Sequence, residues 1–238
     1  MKKWLFLSLF LLAPALSEAL TLSQIRDNVR IIIKDTDSSR RRYSDSQLNA
    51  MSNEAQRDIA NSTWLVWKST TIALVSGTTY YDIPSDAIEI IRLTREYKIV
   101  DETTFDKLDS DAAGSAWEII PGTPVEYFQD ATQPGKIGVK PFPTTSQSTG
   151  TLRMQYVAQP VDLSSDSDVP YNSHYRYYPY HDLITYYVVT RIFMLEGDVN
   201  KIAPYAQLYE SRIQIVREKV GSKPNYNPSF SGTRTGQP

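Results

Sequence analysis

The hydrophobic period of this chain changes twice, and that change limits the folds it can adopt. Apolar residues recur at helical spacing in 20–68 and 171–220, whereas 69–170 carries short alternating runs bounded by Gly and Pro. Helices at both ends must pack together to bury their apolar faces. We therefore predict an α+β protein, in which a helical bundle from both ends carries an inserted small antiparallel β-sandwich or barrel.

Two capping boxes predict where the N-terminal helices begin. Thr21 precedes Gln24, and Ser44 precedes Gln47, at the spacing that lets hydroxyl and amide satisfy free backbone donors at a helix start. The first helix is expected to end near Asp35. The two helices would then form an antiparallel hairpin.

The C-terminal segment predicts two further helices and a tail. Gly197 follows "LITYYVVTRIFMLE" as a C-terminal cap. A second helix should hold Pro204 in its first turn and turn Leu208 inward. Residues 221–238 are rich in Pro and Gly, which predicts an extended C-terminal tail.

The middle segment predicts about five to eight short strands. "TTIALVSGTTYYDIP" has the pattern of a strand pair around a Gly turn, and "AIEIIRLTREYKIV" that of a second pair turning at Arg95 and Glu96. Three more strand-like stretches follow, in "SAWEIIPGTPVEYFQD", "PGKIGVKPFP" and "GTLRMQYVAQP". Pro84 stands between the first two patterns, so it either makes an ordinary turn or ends backbone pairing at a sheet edge.

Residues 1–19 resemble a secretory signal peptide. Lys2 and Lys3 precede an apolar run, and Ser17-Glu18-Ala19 resembles a cleavage site. The run is short for a transmembrane helix. An apolar helix packed inside an assembly, or a misassigned start codon, would explain the same residues.

Composition excludes several classes of protein. The chain has no cysteine, so disulfides and thiolate sites are excluded. Its net charge of −2 disfavours a polyanion as the main partner, although passage of DNA through a lumen is compatible with it.

Residues that could support catalysis are few and scattered. The two histidines lie seven positions apart without the spacing of a zinc site. The acidic stretch 164–170 lacks the glycine and terminal glutamate of a calcium loop. We predict no enzyme activity, metal, cofactor or small-molecule substrate. The residues considered were His174, His181, Asp106, Asp109 and Asp111.

One basic cluster, Arg40, Arg41 and Arg42, falls between the first two helices. The simplest interpretation is a solvated interhelical loop. The alternative is a contact with DNA phosphates or with an acidic neighbouring subunit.

The order of these features resembles the head-to-tail adaptor (connector) proteins of tailed bacteriophages, especially the podovirus type. The family's Y-x-I/L-P-x-D segment is matched by Tyr81, Ile83, Pro84 and Asp86, and the resemblance covers about 20–220. Two further motifs follow in the family's order. They are a P-x-P strand end at Pro141 and Pro143, and a Y-x-x-x-Y helix face at Tyr205 and Tyr209 after an acidic-glycine joint.

The resemblance implies a structural virion protein at the neck between head and tail. Such adaptors form homo-oligomeric rings, commonly dodecameric, that bind the portal protein and tail nozzle or hub proteins while DNA passes non-specifically. A Pro-ended β edge would help to close a ring instead of extending a fibre. The C-terminal segment reaches the portal in this family, which makes Pro224, Tyr226, Pro228 and Phe230 the expected portal-binding residues.

A second class of function stays open at this point. If residues 1–19 are a cleaved signal, the chain would be an exported periplasmic or surface-associated β-rich binding protein.

Overall fold

The computed structural model describes residues 19–111, 117–146, 148, 150–171 and 175–219. Its helices are α1 (Leu22–Ile33), α2 (Asp45–Thr63), α3 (Phe105–Asp111), α4 (Asp182–Glu196) and α5 (Val199–Lys219). Its strands are β1 (Trp67–Ala73), β2 (Tyr80–Asp82), β3 (Ala87–Arg95), β4 (Lys98–Glu102), β5 (Glu126–Gln129), β6 (Lys136–Lys140) and β7 (Thr151–Ala158). The predicted α+β class is confirmed.

Both predicted capping boxes form. The Thr21 backbone N–H donates to Gln24 Oε1 at 2.9 Å, and the Ser44 N–H donates to Gln47 Oε1 at 2.8 Å. In each case the cap hydroxyl accepts from the backbone of the glutamine. At the other end of the chain Gly197 ends α4 with a φ of 71°, in the left-handed region predicted for it.

Helix α4 is the central helix, because α1, α2 and α5 all contact it. Residues 183–185 and 188–190 are buried on more than one face. The α1 helix runs parallel to α4, since Leu20 bonds His181 at one end and Arg42 bonds Glu196 at the other. A closed bundle remains a prediction.

Two details of α5 differ from the sequence analysis. The helix begins at Val199, so Pro204 lies in its second turn and not its first. Leu208 is 44% exposed, whereas Ile213 and Val216 are buried. The packing stripe therefore follows the tyrosines Tyr205 and Tyr209, which pack against the core.

The strands form one nearly closed, barrel-like sheet in the order β1-β7-β3-β4-β5-β6-β2. Two layers, as in a sandwich, are not found among the described residues. The sheet is also not wholly antiparallel, because β4 and β5 pair in parallel. The chain between them is long and contains α3, and parallel neighbours need such a crossover.

The β3–β4 hairpin is confirmed, with Arg95 paired to Lys98 across a two-residue turn. The predicted pairing of β1 with β2 is wrong. β1 pairs with β7 and β2 with β6, so these two strands are the opposite edges of the sheet. The Gly77 turn thus spans the gap of the barrel and does not close a hairpin.

One hydrophobic core runs from the helices into the sheet. The link lies where α2 leads into β1: Leu65 and Val66 are buried, and the Ala158 N–H donates to the Val66 carbonyl at 2.8 Å. Helices and sheet therefore share their stabilising contacts.

A smaller aromatic core closes the far side of the sheet around Phe128, which is fully buried. Trp117 and Tyr80 meet the Phe128 ring edge-on at centroid distances of 5.0 and 5.9 Å. Gly138 provides the room for this ring, since a Cβ there would lie 2.1 Å from Phe128 Cζ.

Replacing Gly138 with Ala should lower the free energy of unfolding by about 1–3 kcal/mol, because the rigid ring cannot withdraw. Chemical denaturation measures the change. Combining Gly138→Ala with Phe128→Leu should cost less than the sum of the single changes. Additive costs in the double variant would contradict the proposed steric cause.

Candidate interaction sites

His181 has a structural role at the start of α4. His181 is buried at the start of α4, where its Nδ1 accepts from the Leu20 N–H at 3.0 Å. Burial lowers its pKa to about 4, although the Leu20 bond acts the other way, so the ring is neutral at pH 7. His174 lies outside the described residues. Among the residues that the structure describes, no group of three or more acids or histidines could hold a metal.

The acidic loop 164–170 is a structural cap. The carbonyls of Asp168 and Asp166 accept from the N–H groups of Leu22 and Ser23, the first residues of α1, at 2.8 and 3.1 Å. The Asp166 carboxylate pairs with Arg26 at 2.6 Å. These bonds satisfy orphan donors of the helix and fix the loop against it.

The aspartates of α3 are also separate from any site. Asp109 accepts from the Trp117 indole N–H at 2.9 Å, which ties α3 to the aromatic core. Asp106 lies in the first turn of that helix. The Asp111 side chain lies outside the described residues.

The three arginines between α1 and α2 have different surroundings. Arg42 is held by the subunit itself, because its guanidinium donates to Glu196 at 2.5 Å and to the Ile33 carbonyl at 2.6 Å. Arg41 makes a long contact of 3.4 Å with Asp45. Arg40 is exposed. Only Arg40 and Arg41 are thus available for an external contact.

The segment Tyr81–Asp86 joins the edge strand β2 to β3, near the middle of the sheet. Tyr81 is buried, and its hydroxyl accepts from the Val75 N–H at 3.1 Å, which holds the loop that spans the barrel gap. Pro84 lies two residues after the end of β2, and its carbonyl accepts from the Ala87 N–H at 2.9 Å in the turn. Pro84 therefore lies in a turn and also follows the end of an edge strand, so the two interpretations of this residue are compatible.

Asp86 anchors this turn. Its carboxylate accepts from Lys68 Nζ at 2.6 Å and from the Tyr156 hydroxyl at 3.1 Å, and its carbonyl accepts from the Gln159 N–H at 2.7 Å. Burial raises the pKa of Asp86, but Lys68 and Tyr156 outweigh it, so the net shift is downward. Neither partner was singled out in the sequence, because both are distant along the chain.

A cleft of about 260 Å³ opens beside the same turn. Apolar side chains and the polar residues Ser85, Glu89 and Gln129 share its lining. The lining residues are Ile83, Pro84, Ser85, Ala87, Ile88, Glu89, Ile90, Gln129 and Gly135.

Two groups of apolar side chains are exposed at the ends of the subunit. Tyr97, in the β3–β4 turn, is 98% exposed. Met194, Leu195 and Val199 lie exposed at the corner between α4 and α5. Hydrophobic periodicity did not predict the exposure of the corner residues, because it does not reveal which apolar residues the fold leaves uncovered.

Several predicted residues lie outside the described residues. They are the signal-like segment up to residue 18 and the tail residues Pro224, Tyr226, Pro228 and Phe230. Within the described ranges, no helix is both long and apolar enough to cross a membrane.

Comparison with known proteins gives one match. The family model described as SU10 adaptor protein matches residues 20–229, which is most of the chain. No curated protein matches the sequence.

Replacing Asp86 with Asn should lower the free energy of unfolding at pH 7 by about 1 kcal/mol, because Lys68 loses its charged partner. The folded pKa lies below the ordinary 3.8, so this stabilisation is present above 3.8 and is lost as pH falls through the folded pKa. Thermal unfolding should therefore separate the two proteins at pH 7 and bring them together at pH 3 and below. Asp82→Asn, at an exposed position of the same segment, is the control; a constant difference for Asp86→Asn would contradict the assignment.

Proposed function

The chain belongs to the SU10 adaptor protein family, and we propose that it forms the ring that joins the phage portal to the tail and continues the DNA channel between them. The family consists of structural phage proteins and is not a class of enzymes, and membership implies incorporation into the virion. The predicted resemblance to phage head-to-tail adaptors is confirmed. The family match favours a virion protein over an exported binding protein.

The observation that carries the proposal is a family match over nearly the whole described fold. The architecture supports it. Chain segments far apart in sequence meet around α4, and the sheet is inserted between them with its own rim of loops. A subunit built in this way can bind one partner at each end. The core shared by the helices and the sheet would fix the position of one end relative to the other.

In our proposal the helices lie beside neighbouring copies and near the portal, and the sheet faces the tail nozzle or hub proteins. The expected assembly is a dodecameric ring. Lateral contacts would use exposed charges, such as Arg40 and Arg41, which meet either an acidic neighbour or passing DNA. Arg212 is a poor candidate, since it bonds Asp182 at 2.8 Å and the Pro179 carbonyl at 3.1 Å within the subunit.

The DNA contact would be non-specific. With a net charge of −2, the chain has no excess of cations that would hold a duplex tightly as it moves through a lumen.

We further propose that the C-terminal tail binds the portal. Helix α5 ends at Lys219, after its buried residues Ile213 and Val216, so the tail is not needed to complete that packing. Tyr226 and Phe230 are four residues apart and would be the buried anchors. Pro224 and Pro228 would limit the entropy lost on binding.

Truncation after Lys219 should leave a folded protein that no longer joins portal-bearing heads. The unfolding temperature should stay within about 2 °C of the full chain, because the buried side chains of α5, Ile213 and Val216, are retained. Binding to purified portal, measured by biolayer interferometry, and attachment to heads, seen by negative-stain imaging, are the two readouts.

The double variant Tyr226→Ser with Phe230→Ser should reproduce this loss, by at least about tenfold in affinity. Ser229→Ala with Thr233→Ala changes the same stretch without touching the anchors, and it should bind as the full chain does. Unchanged portal binding by the truncated protein would show that the tail has no part in the contact.

A further inference from the structure

We propose that Tyr97 of one copy inserts into the cleft beside Pro84 of the next copy, and that this contact closes the ring. The inference rests on the proposed ring-forming function and adds to it the residues that make the contact. It uses two features that the fold itself does not need, an aromatic ring that is almost fully exposed and an open cleft with both apolar and polar lining residues.

The turn that carries Tyr97 is strained. Glu96 and Tyr97 have φ values of 47° and 67°, as in the two-residue hairpin turns that strongly favour Asn-Gly or Gly-Gly. A glycine at residue 97 would therefore suit the subunit better than tyrosine does. Strain of this kind at an exposed aromatic, 98% accessible, points to a role outside the subunit.

The cleft fits such a ring in size and chemistry. Its volume is about 260 Å³, and Ile83, Pro84 and Ala87 line it with apolar surface. Glu89 is also a lining residue, and its carboxylate can accept a hydrogen bond from a phenol hydroxyl. Tyrosine is the residue type that most often combines an apolar body with a polar tip at interfaces.

The charges beside the two features are complementary. Lys98 follows Tyr97 at the tip and is exposed. Among the described residues, neither Lys98 nor Glu89 forms an ion pair. Insertion of Tyr97 would bring the free cation of one copy toward the free anion of the next.

The placement of the two features requires the contact to join different copies. Tyr97 follows the end of β3, whereas Ala87 begins it, and a nine-residue strand is about 30 Å long. The tip cannot fold back to its own cleft. A contact between opposite ends of identical subunits is head-to-tail, which closes into a ring when the rotation between copies permits.

The first test is Tyr97→Gly. It relieves the left-handed strain, so the unfolding temperature of the subunit should rise. It also removes the inserted ring, so the protein concentration needed for half-assembly should rise by about thirtyfold, the usual effect of losing an interface hot spot. Sedimentation velocity of the full chain, alone and with portal protein, measures assembly.

Glu96→Gly is the matched control. It relieves strain in the same turn but keeps the tyrosine, so it should stabilise the subunit and leave assembly unchanged. A purely structural role for the hairpin would move both glycine variants in the same way, and that outcome would overturn the proposal.

The second test addresses the cleft. Ser85→Trp places an indole at an exposed lining position and should block entry, with a loss of assembly like that of Tyr97→Gly. Because the natural chain has no cysteine, Tyr97→Cys combined with Ser85→Cys can be treated with a short bis-maleimide. The double variant should give a covalent ladder that ends at the ring, and each single variant should give dimers at most.

The outcomes separate this inference from the function on which it rests. Rings that form normally in Tyr97→Gly and Ser85→Trp would overturn the contact and leave the ring-forming function standing. Normal rings that no longer attach tails would reassign Tyr97 to the tail and also overturn it. If the natural chain forms no ring, either alone or on portal, both the contact and the proposed function are wrong.

Discussion

The burial of α4 is the constraint on which the rest of the structure depends. Its residues 183–185 and 188–190 need apolar neighbours on more than one side, and a helix of that kind is stable only when other helices surround it. α1 and α2 come from one end of the chain and α5 from the other, so covering α4 brings both ends together. The strands between them must then leave and return at one place, which makes the sheet an insertion.

The helices and the sheet are joined by side-chain contacts as well as by the chain segments that connect them. The core passes through Leu65 and Val66, and Asp86 joins Lys68 on β1 to Tyr156 on β7. Because these contacts are closely packed, a displacement of the helices would require the adjoining part of the sheet to move with them. In the proposed role between portal and tail, such coupling would fix the distance and orientation between the two contacts.

Most charged side chains that might mark a site are used inside the subunit. Arg30 pairs with Asp35 at 3.0 Å and with Asp45 at 2.6 Å, and Arg42 secures the loop between α1 and α2. Among the groups that the described fold leaves exposed are apolar and charged side chains at the sheet tip, the cleft and the α4–α5 corner. The proposed assembly would use such surfaces.

The sequence by itself determined the elements whose signals are local. Capping boxes at Thr21 and Ser44 and the glycine at 197 define helix ends through bonds within a few residues, so their positions were predictable. Strand pairing was not predictable, because alternation shows that a strand exists but not which neighbour it pairs with. For this reason β1 and β2 were wrongly paired, and the parallel β4–β5 pair was missed. The tertiary structure alone decided that Arg42 is bonded within the subunit while Arg40 is exposed. It also decided that Asp86 has Lys68 and Tyr156 as partners. The near-complete exposure of Tyr97 is a third outcome of the tertiary structure. Those facts depend on contacts between residues far apart in the chain, and hydrophobic period carries no information about them.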